Sequence, residues 1–143
     1  METTITAAEK SLVDELMAFP DVYERLTYLV DISPSKPVPE AHRKDCYMVQ
    51  GCMAQLHIVP FQESGHWTFT PFSEAPMVMA LAGLYCRIFS GHTGTDILAH
   101  EPQVLEQTDL CRQLSPNRRA GAANIAARIK GYIDETTNPQ DQQ

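Results

Sequence analysis

The sequence contains no glycine-rich phosphate loop, no Cys-x-x-Cys pair and no internal repeat. Nor does any apolar run approach the roughly 18 residues that a membrane-spanning helix needs. Cysteine is sparse. The four present, Cys46, Cys52, Cys86 and Cys111, are too few and too scattered for a disulfide scaffold, so in a reducing compartment they would be thiols. Basic side chains are also scarce. Eleven stand against eighteen acidic ones, and the net charge of -7 repels nucleic acid and anionic membrane while favouring a basic partner surface. Met1 to Lys10 lacks the charged-then-apolar layout of a signal peptide, which predicts a cytosolic protein.

What is present is enough for a real core. With 143 residues, 43% of them hydrophobic and 20% charged, the chain has the size and balance of one globular domain. Its core is expected over about residues 7–133, followed by a frayed tail at 134–143 that lacks apolar side chains. Thr6 and Glu9 form a capping pair before Leu12, Leu16 and Phe19, predicting a helix over about 7–18. Asp21 caps a second, with Val22, Leu26, Leu29 and Val30 inward. Pro34, Pro37 and Pro39 then keep residues 33–45 in a surface loop, which ends on His42, Arg43 and Lys44.

Extended segments follow. Tyr47 to Val49, a run from Cys52 to about Phe61, and His66 to Phe72 predict a small antiparallel sheet of three short strands, with Gln62 to Gly65 as a turn and Trp67 and Phe69 on one face. Ser73 and Pro76 open a central helix whose Met77, Leu81, Leu84, Tyr85 and Ile88 cover the sheet, with Cys86 inside it. Thr93 and Asp96 cap a short helix, and Pro102 to Gln107 gives a further turn or two. Ser115 and Pro116 start the last helix, packed through Ala122, Ile125, Ala126, Ile129 and Ile133. The fold class is α+β.

Cys52 is the residue of chemical interest. Gly51 before it takes unusual backbone angles without cost and carries no side chain that would shield the thiol, while after it Ala54, Leu56 and Ile58 alternate with Met53, Gln55, His57 and Val59. A thiol is thus placed where a loop enters a sheet. Two readings stand side by side: a reachable nucleophile, or a small buried hydrophobe that starts a strand. The cations at 42–44, eight to ten residues earlier, would favour the thiolate if they folded over it. Cys46, Cys52, His57 and His66 also supply ligand types for zinc, although their spacing matches no compact pair. Cys46 as a resolving thiol for Cys52 is a further option that spacing alone does not support.

Three blocks resemble the SufE family of sulfur acceptors. Val49-Gln50-Gly51-Cys52 is similar to the family segment ending in the sulfur-accepting cysteine, Ser73-Glu74-Ala75 to its Ser-Asp-Ala before the central helix, and Leu114-Ser115-Pro116-Asn117-Arg118, with Gly121, to the block opening its final helix. The likeness covers about residues 21–133. It departs in Met53-Ala54, where Gln-Ser is usual, in His57, where an aromatic residue is usual, and in Tyr47, where asparagine is common. The resemblance implies a SufE/IscU-like α+β fold and a cytoplasmic, non-enzymatic carrier that stimulates its partner. That partner would be a cysteine desulfurase, itself holding pyridoxal phosphate, whose persulfide sulfur passes to Cys52 and on to an iron-sulfur scaffold. The carrier itself would need no cofactor or metal. It also implies that Gly51, Glu74, Arg118 and Arg119 contact the partner or the cysteine loop. A desulfurase-binding regulator without sulfur transfer, and a zinc or iron-sulfur scaffold, are the alternatives.

Overall fold

A computed structural model describes residues 4–33, 38–49 and 55–137. Gly51 and Cys52 lie outside them. Among the described residues, six α-helices and three strands follow in the order α1 (Ile5–Met17), α2 (Val22–Asp31), β1 (His57–Glu63), β2 (His66–Phe72), α3 (Pro76–Phe89), β3 (His92–Thr93), α4 (Gly94–Ala99), α5 (Val104–Gln107) and α6 (Pro116–Thr137), with short 3-10 turns at Glu40–His42, Asp45–Tyr47 and Leu110–Gln113. The sheet is antiparallel in the order β1-β2-β3, so the α+β expectation holds.

The β1-β2 hairpin turns on Ser64 and Gly65, both at positive φ (53° and 79°), the pairing that lets a two-residue turn follow the twist of its strands. Trp67 and Phe69 share the inner face, their rings stacked 6.1 Å apart and both buried. α3 lies over that face. Its Leu81, Leu84, Tyr85, Ile88 and Phe89 are buried, and it serves as the hub against which α1, α2, β2 and α6 pack. At about 25 cal/mol per Å² of apolar area removed from water, this helix and its neighbours supply the main driving force for folding.

Several local expectations change. The third strand is His92–Thr93, paired to Trp67 and His66, whereas Tyr47 to Val49 contributes only an isolated bridge from Met48 to His57. α1 is capped by Thr4, whose hydroxyl accepts from the Ala7 N–H at 3.1 Å, not by Thr6 with Glu9. Glu9 points inward instead. Ser73 does not cap α3. Its Oγ accepts from the Ala75 N–H at 3.2 Å and so shapes the turn before the helix, while Pro76 takes the first helical position. The expected tail begins too early: α6 continues through Asp134 to Thr137, because Arg128 pairs with Glu135 at 2.9 Å and the Thr136 hydroxyl donates to the Tyr132 carbonyl.

A buried bond ties α6 to the sheet. The Tyr132 hydroxyl donates to the Ile58 carbonyl at 2.7 Å, and burial pushes its pKa from 10 up to about 12 against the opposing pull of the Arg128 charge. A group whose folded pKa is raised stabilises fully below its ordinary value and loses that contribution as pH climbs through the folded one. We therefore expect Tyr132→Phe to lose about 1–2 kcal/mol at neutral pH, and the gap between the two proteins to close from about pH 10 to 12. Urea unfolding at several pH values measures it. A gap that widened with pH would contradict this account.

Candidate functional site

The segment leading to position 50 is held from two sides. Arg128 of α6 stacks over the Tyr132 ring, 3.9 Å from its centroid, and its Nη2 donates to the Cys46 carbonyl at 2.8 Å. Tyr47 meets Tyr132 edge-on at 6.3 Å. On the other flank the Val49 N–H donates to the Leu56 carbonyl at 2.8 Å. The chain thus leaves the described structure at Val49 and re-enters it at Gln55 from two fixed, adjacent points.

Beside this pair opens a cleft of about 690 Å³, lined by Glu40, Arg43, Asp45, Gln55, His57, Phe72, Ser73, Glu74 and Ala75. Three elements build it: the turn at 40–47, the start of β1, and the end of β2 with the turn into α3. Arg43 is fixed in place, its guanidinium 3.8 Å from the centroid of Phe72 and its Nε donating to the Val38 carbonyl at 2.8 Å. Such stacking leaves the outer N–H groups of arginine available. His42 and Lys44, by contrast, are exposed.

Of the residues singled out from sequence, the structure places Glu74 on this cleft, exposed. Arg118 and Arg119 are elsewhere. Arg119 donates to the Leu114 carbonyl at 3.1 Å and lines a second groove, of about 460 Å³, with Tyr85, Cys111, Ala122 and Lys130. Arg118 is exposed on the first turn of α6, where its N–H reaches the Ser115 hydroxyl at 3.3 Å. Fourteen residues of helix, about 21 Å at 1.5 Å each, separate it from Tyr132 at the sheet. Gly51 and Cys52 fall outside the described residues, so no contact of theirs with Glu74, Arg118 or Arg119 enters the site's geometry.

The zinc arrangement fails on position. His57 stands opposite Phe72 and His66 opposite Glu63, which puts them at opposite ends of a seven-residue strand, about 20 Å apart at 3.3 Å per residue. No cluster of three or more potential ligands occurs among the described residues. Arg43 and His57 are the cleft residues with a role that sequence reasoning did not assign individually. Period-2 alternation put His57 with Gln55 and Val59, away from Leu56 and Ile58, yet it is only 4% exposed, because the turn at 40–47 covers the second face of β1 at its start.

The thiols differ sharply. Cys46 is exposed and Cys86 buried, and burial in the apolar core pushes the Cys86 pKa far above the ordinary thiol range. In native protein at neutral pH, iodoacetamide should label Cys46 and spare Cys86 until denaturant is added. Equal labelling of the two, read by peptide mass, would contradict the packing of α3.

Comparison with known proteins places the chain. A family described as SufE, Fe-S metabolism associated domain, matches residues 10–133. An uncharacterized SufE-like protein of Synechocystis is 32% identical over 90 residues, 63% of this chain and 57% of that protein; the chain therefore spans little more than half the length of that relative. A second, of Rhizobium meliloti, is 26% identical over 129 residues, 86% of this chain and 92% of its own. The solution structure of a hypothetical protein from Thermus thermophilus superposes with a TM-score of 0.71 at 20% identity, covering 90% of this chain and 94% of that one, which shows a shared fold. No described helix is long and apolar enough to cross a membrane. The chain belongs to the SufE family and is thereby associated with iron-sulfur metabolism.

Proposed function

We propose that this protein is a sulfur carrier, accepting sulfur on Cys52 from the persulfide of a pyridoxal-phosphate-dependent cysteine desulfurase and delivering it to an iron-sulfur scaffold in the cytosol. The observation that carries the reading is that the family match over residues 10–133 includes the Gly51-Cys52 pair, with four residues between it and the start of β1 at His57. Chain length ties that pair to the cleft. Two residues separate Cys52 from Gln55 on the cleft wall, and three chain steps span at most about 11 Å.

The chemistry is exchange without net oxidation. The Cys52 thiolate attacks the outer sulfur of the partner's persulfide; the S–S bond breaks, the partner's cysteine leaves as thiolate, and the outer sulfur with its proton remains bonded to Cys52. A cation beside the nucleophile raises its thiolate fraction, and Arg43, stacked on Phe72 in the cleft wall, is the residue we assign to that part. Glu74 on the cleft rim, together with the overall charge of -7, favours a basic docking surface on the desulfurase. We assign Arg118 and Arg119 to a separate contact with the partner, at the head of α6. The protein acts stoichiometrically, as one domain over 1–143 that stimulates its partner by removing sulfur.

Incubation with a cysteine desulfurase and cysteine should add the mass of one sulfur to the intact protein. Wild-type protein that gains none, while the desulfurase turns over, overturns the assignment.

A further inference from the structure

One turn of α6 grips both limbs of the chain that carries Cys52. Arg128 and Tyr132, four residues apart, share a face of the helix, the guanidinium stacked on the ring. Arg128 Nη2 donates to the Cys46 carbonyl at 2.8 Å, and the Tyr132 hydroxyl donates to the Ile58 carbonyl at 2.7 Å. Each of those carbonyls lies six residues from Cys52, one before it and one after. Between the two grips the limbs meet, through the Val49 N–H on the Leu56 carbonyl at 2.8 Å and the bridge from Met48 to His57. Three chain steps then lead to Cys52 from Val49 and from Gln55 alike, which keeps its Cα within about 11 Å of both.

The limbs are not equally secured. Ile58 sits inside β1, opposite Pro71 of β2, and is fully buried, so the sheet holds that limb without help from Tyr132. The limb at 46–49 belongs to no strand of the sheet. Beyond the buried Val49 and the bridge at Met48, its ties are the Arg128 bond and the edge contact of Tyr47 with Tyr132 at 6.3 Å. Arg128 is itself aimed from two sides, by the Tyr132 ring at 3.9 Å and by Glu135 Oε1, which accepts from its Nη1 at 2.9 Å. Its second terminal nitrogen therefore has a fixed direction. We propose that Arg128 is a positioning residue for sulfur transfer: it sets where the limb ahead of Cys52 leaves the fold, and with it the approach of the thiolate to the partner's persulfide. Arg128 touches neither sulfur, and its assignment rests on the sulfur-carrier reading. Attack on an S–S bond needs the reacting atoms about 3–3.5 Å apart and aligned, and an error near 1 Å costs on the order of a hundredfold in rate. Loosening one limb should slow transfer within the docked complex and leave docking unchanged.

Single-turnover transfer from a cysteine desulfurase preloaded with persulfide, followed by intact mass over a range of acceptor concentrations, separates those two effects. Arg128→Met should lower the limiting rate about tenfold or more with the half-saturating concentration unchanged. Arg128→Lys, which keeps a cationic donor on a similar stem, should recover part of that loss. Arg87→Met removes an exposed ion pair to Glu15 of α1, tied to neither limb, and should transfer at the wild-type rate, as the control for a general loss of stability. An Arg128→Met limiting rate equal to that of Arg87→Met, a change confined to the half-saturating concentration, or a lysine variant no faster than methionine would each overturn the proposal and leave the carrier reading intact. Wild-type protein that takes no sulfur overturns both.

Discussion

Glu9→Ala should lower the unfolding free energy by about 3–5 kcal/mol, among the largest effects of any single polar substitution in this protein. The Glu9 carboxylate, 6% exposed, gathers three donors from a distant part of the chain. His100 Nε2 lies 2.8 Å from Oε1, and the N–H groups of Gln103 and Val104 donate to Oε2 at 2.8 and 3.0 Å. Those two N–H groups belong to the start of α5, where the first turn of a helix has no internal partners. Alanine would leave them and the imidazole buried without acceptors, and would release α1 from the α4-α5 corner. Glu9→Gln keeps one acceptor oxygen and should lose less. Urea titrations of the three proteins give the order; an alanine variant within about 1 kcal/mol of wild type would show that water replaces the carboxylate and that the network is not structural.

Cys52→Ser should abolish sulfur uptake altogether while leaving stability close to wild type. A hydroxyl at neutral pH is almost entirely protonated and is no nucleophile toward a persulfide, whereas a thiol is partly ionised. The informative readout is the partner's turnover. If the protein stimulates the desulfurase by carrying sulfur away, Cys52→Ser binds the enzyme and fails to accelerate it. If the serine variant accelerates the enzyme as well as wild type does, the protein regulates its partner by binding alone and the carrier mechanism is wrong.

The helices and the hairpin were legible in the sequence because each carries its own local signal. Asp21 and Thr93 cap α2 and α4, their side chains bonding the N–H groups of Tyr23 at 2.7 Å and Asp96 at 3.3 Å. Alternation in His66 to Phe72 fixed which side of β2 faces α3. What escaped reading was set by contacts far apart in the chain. β3 has two residues and exists only because the turn at Ser90 and Gly91, the latter at a φ of 86°, brings the chain back beside Trp67. Glu9 imitates a capping residue in sequence, yet its partners are more than ninety residues away. Arg25 reads as a solvated helix residue but is buried, bonding the carbonyls of Phe19 at 2.8 Å and Thr108 at 2.9 Å. It joins α2 to the end of α5.

The candidate site was legible unevenly for the same reason. Gly51 and Cys52 are recognised from neighbours in sequence, a local signal. Glu74 lies at the edge of the cleft because Ser73 bends the chain there. The pairing of Arg43 with Phe72, and the burial of His57 beneath the 40–47 turn, depend on how residues 38–47 lie over a strand distant in sequence, which no periodicity encodes. Arg118 and Arg119 share a sequence block with the family but sit at the end of α6 remote from β1, so any part they play in docking is spatially distinct from that of Glu74.

The central claim is that one sulfur atom travels on one particular thiol among four. After incubation with a cysteine desulfurase and cysteine, the persulfide should be trapped by alkylation, the protein digested, and each cysteine peptide weighed. The account predicts the additional sulfur on Cys52, with no additional sulfur on Cys46, Cys86 or Cys111. Sulfur found on Cys46 or Cys111 while Cys52 stays bare would contradict it.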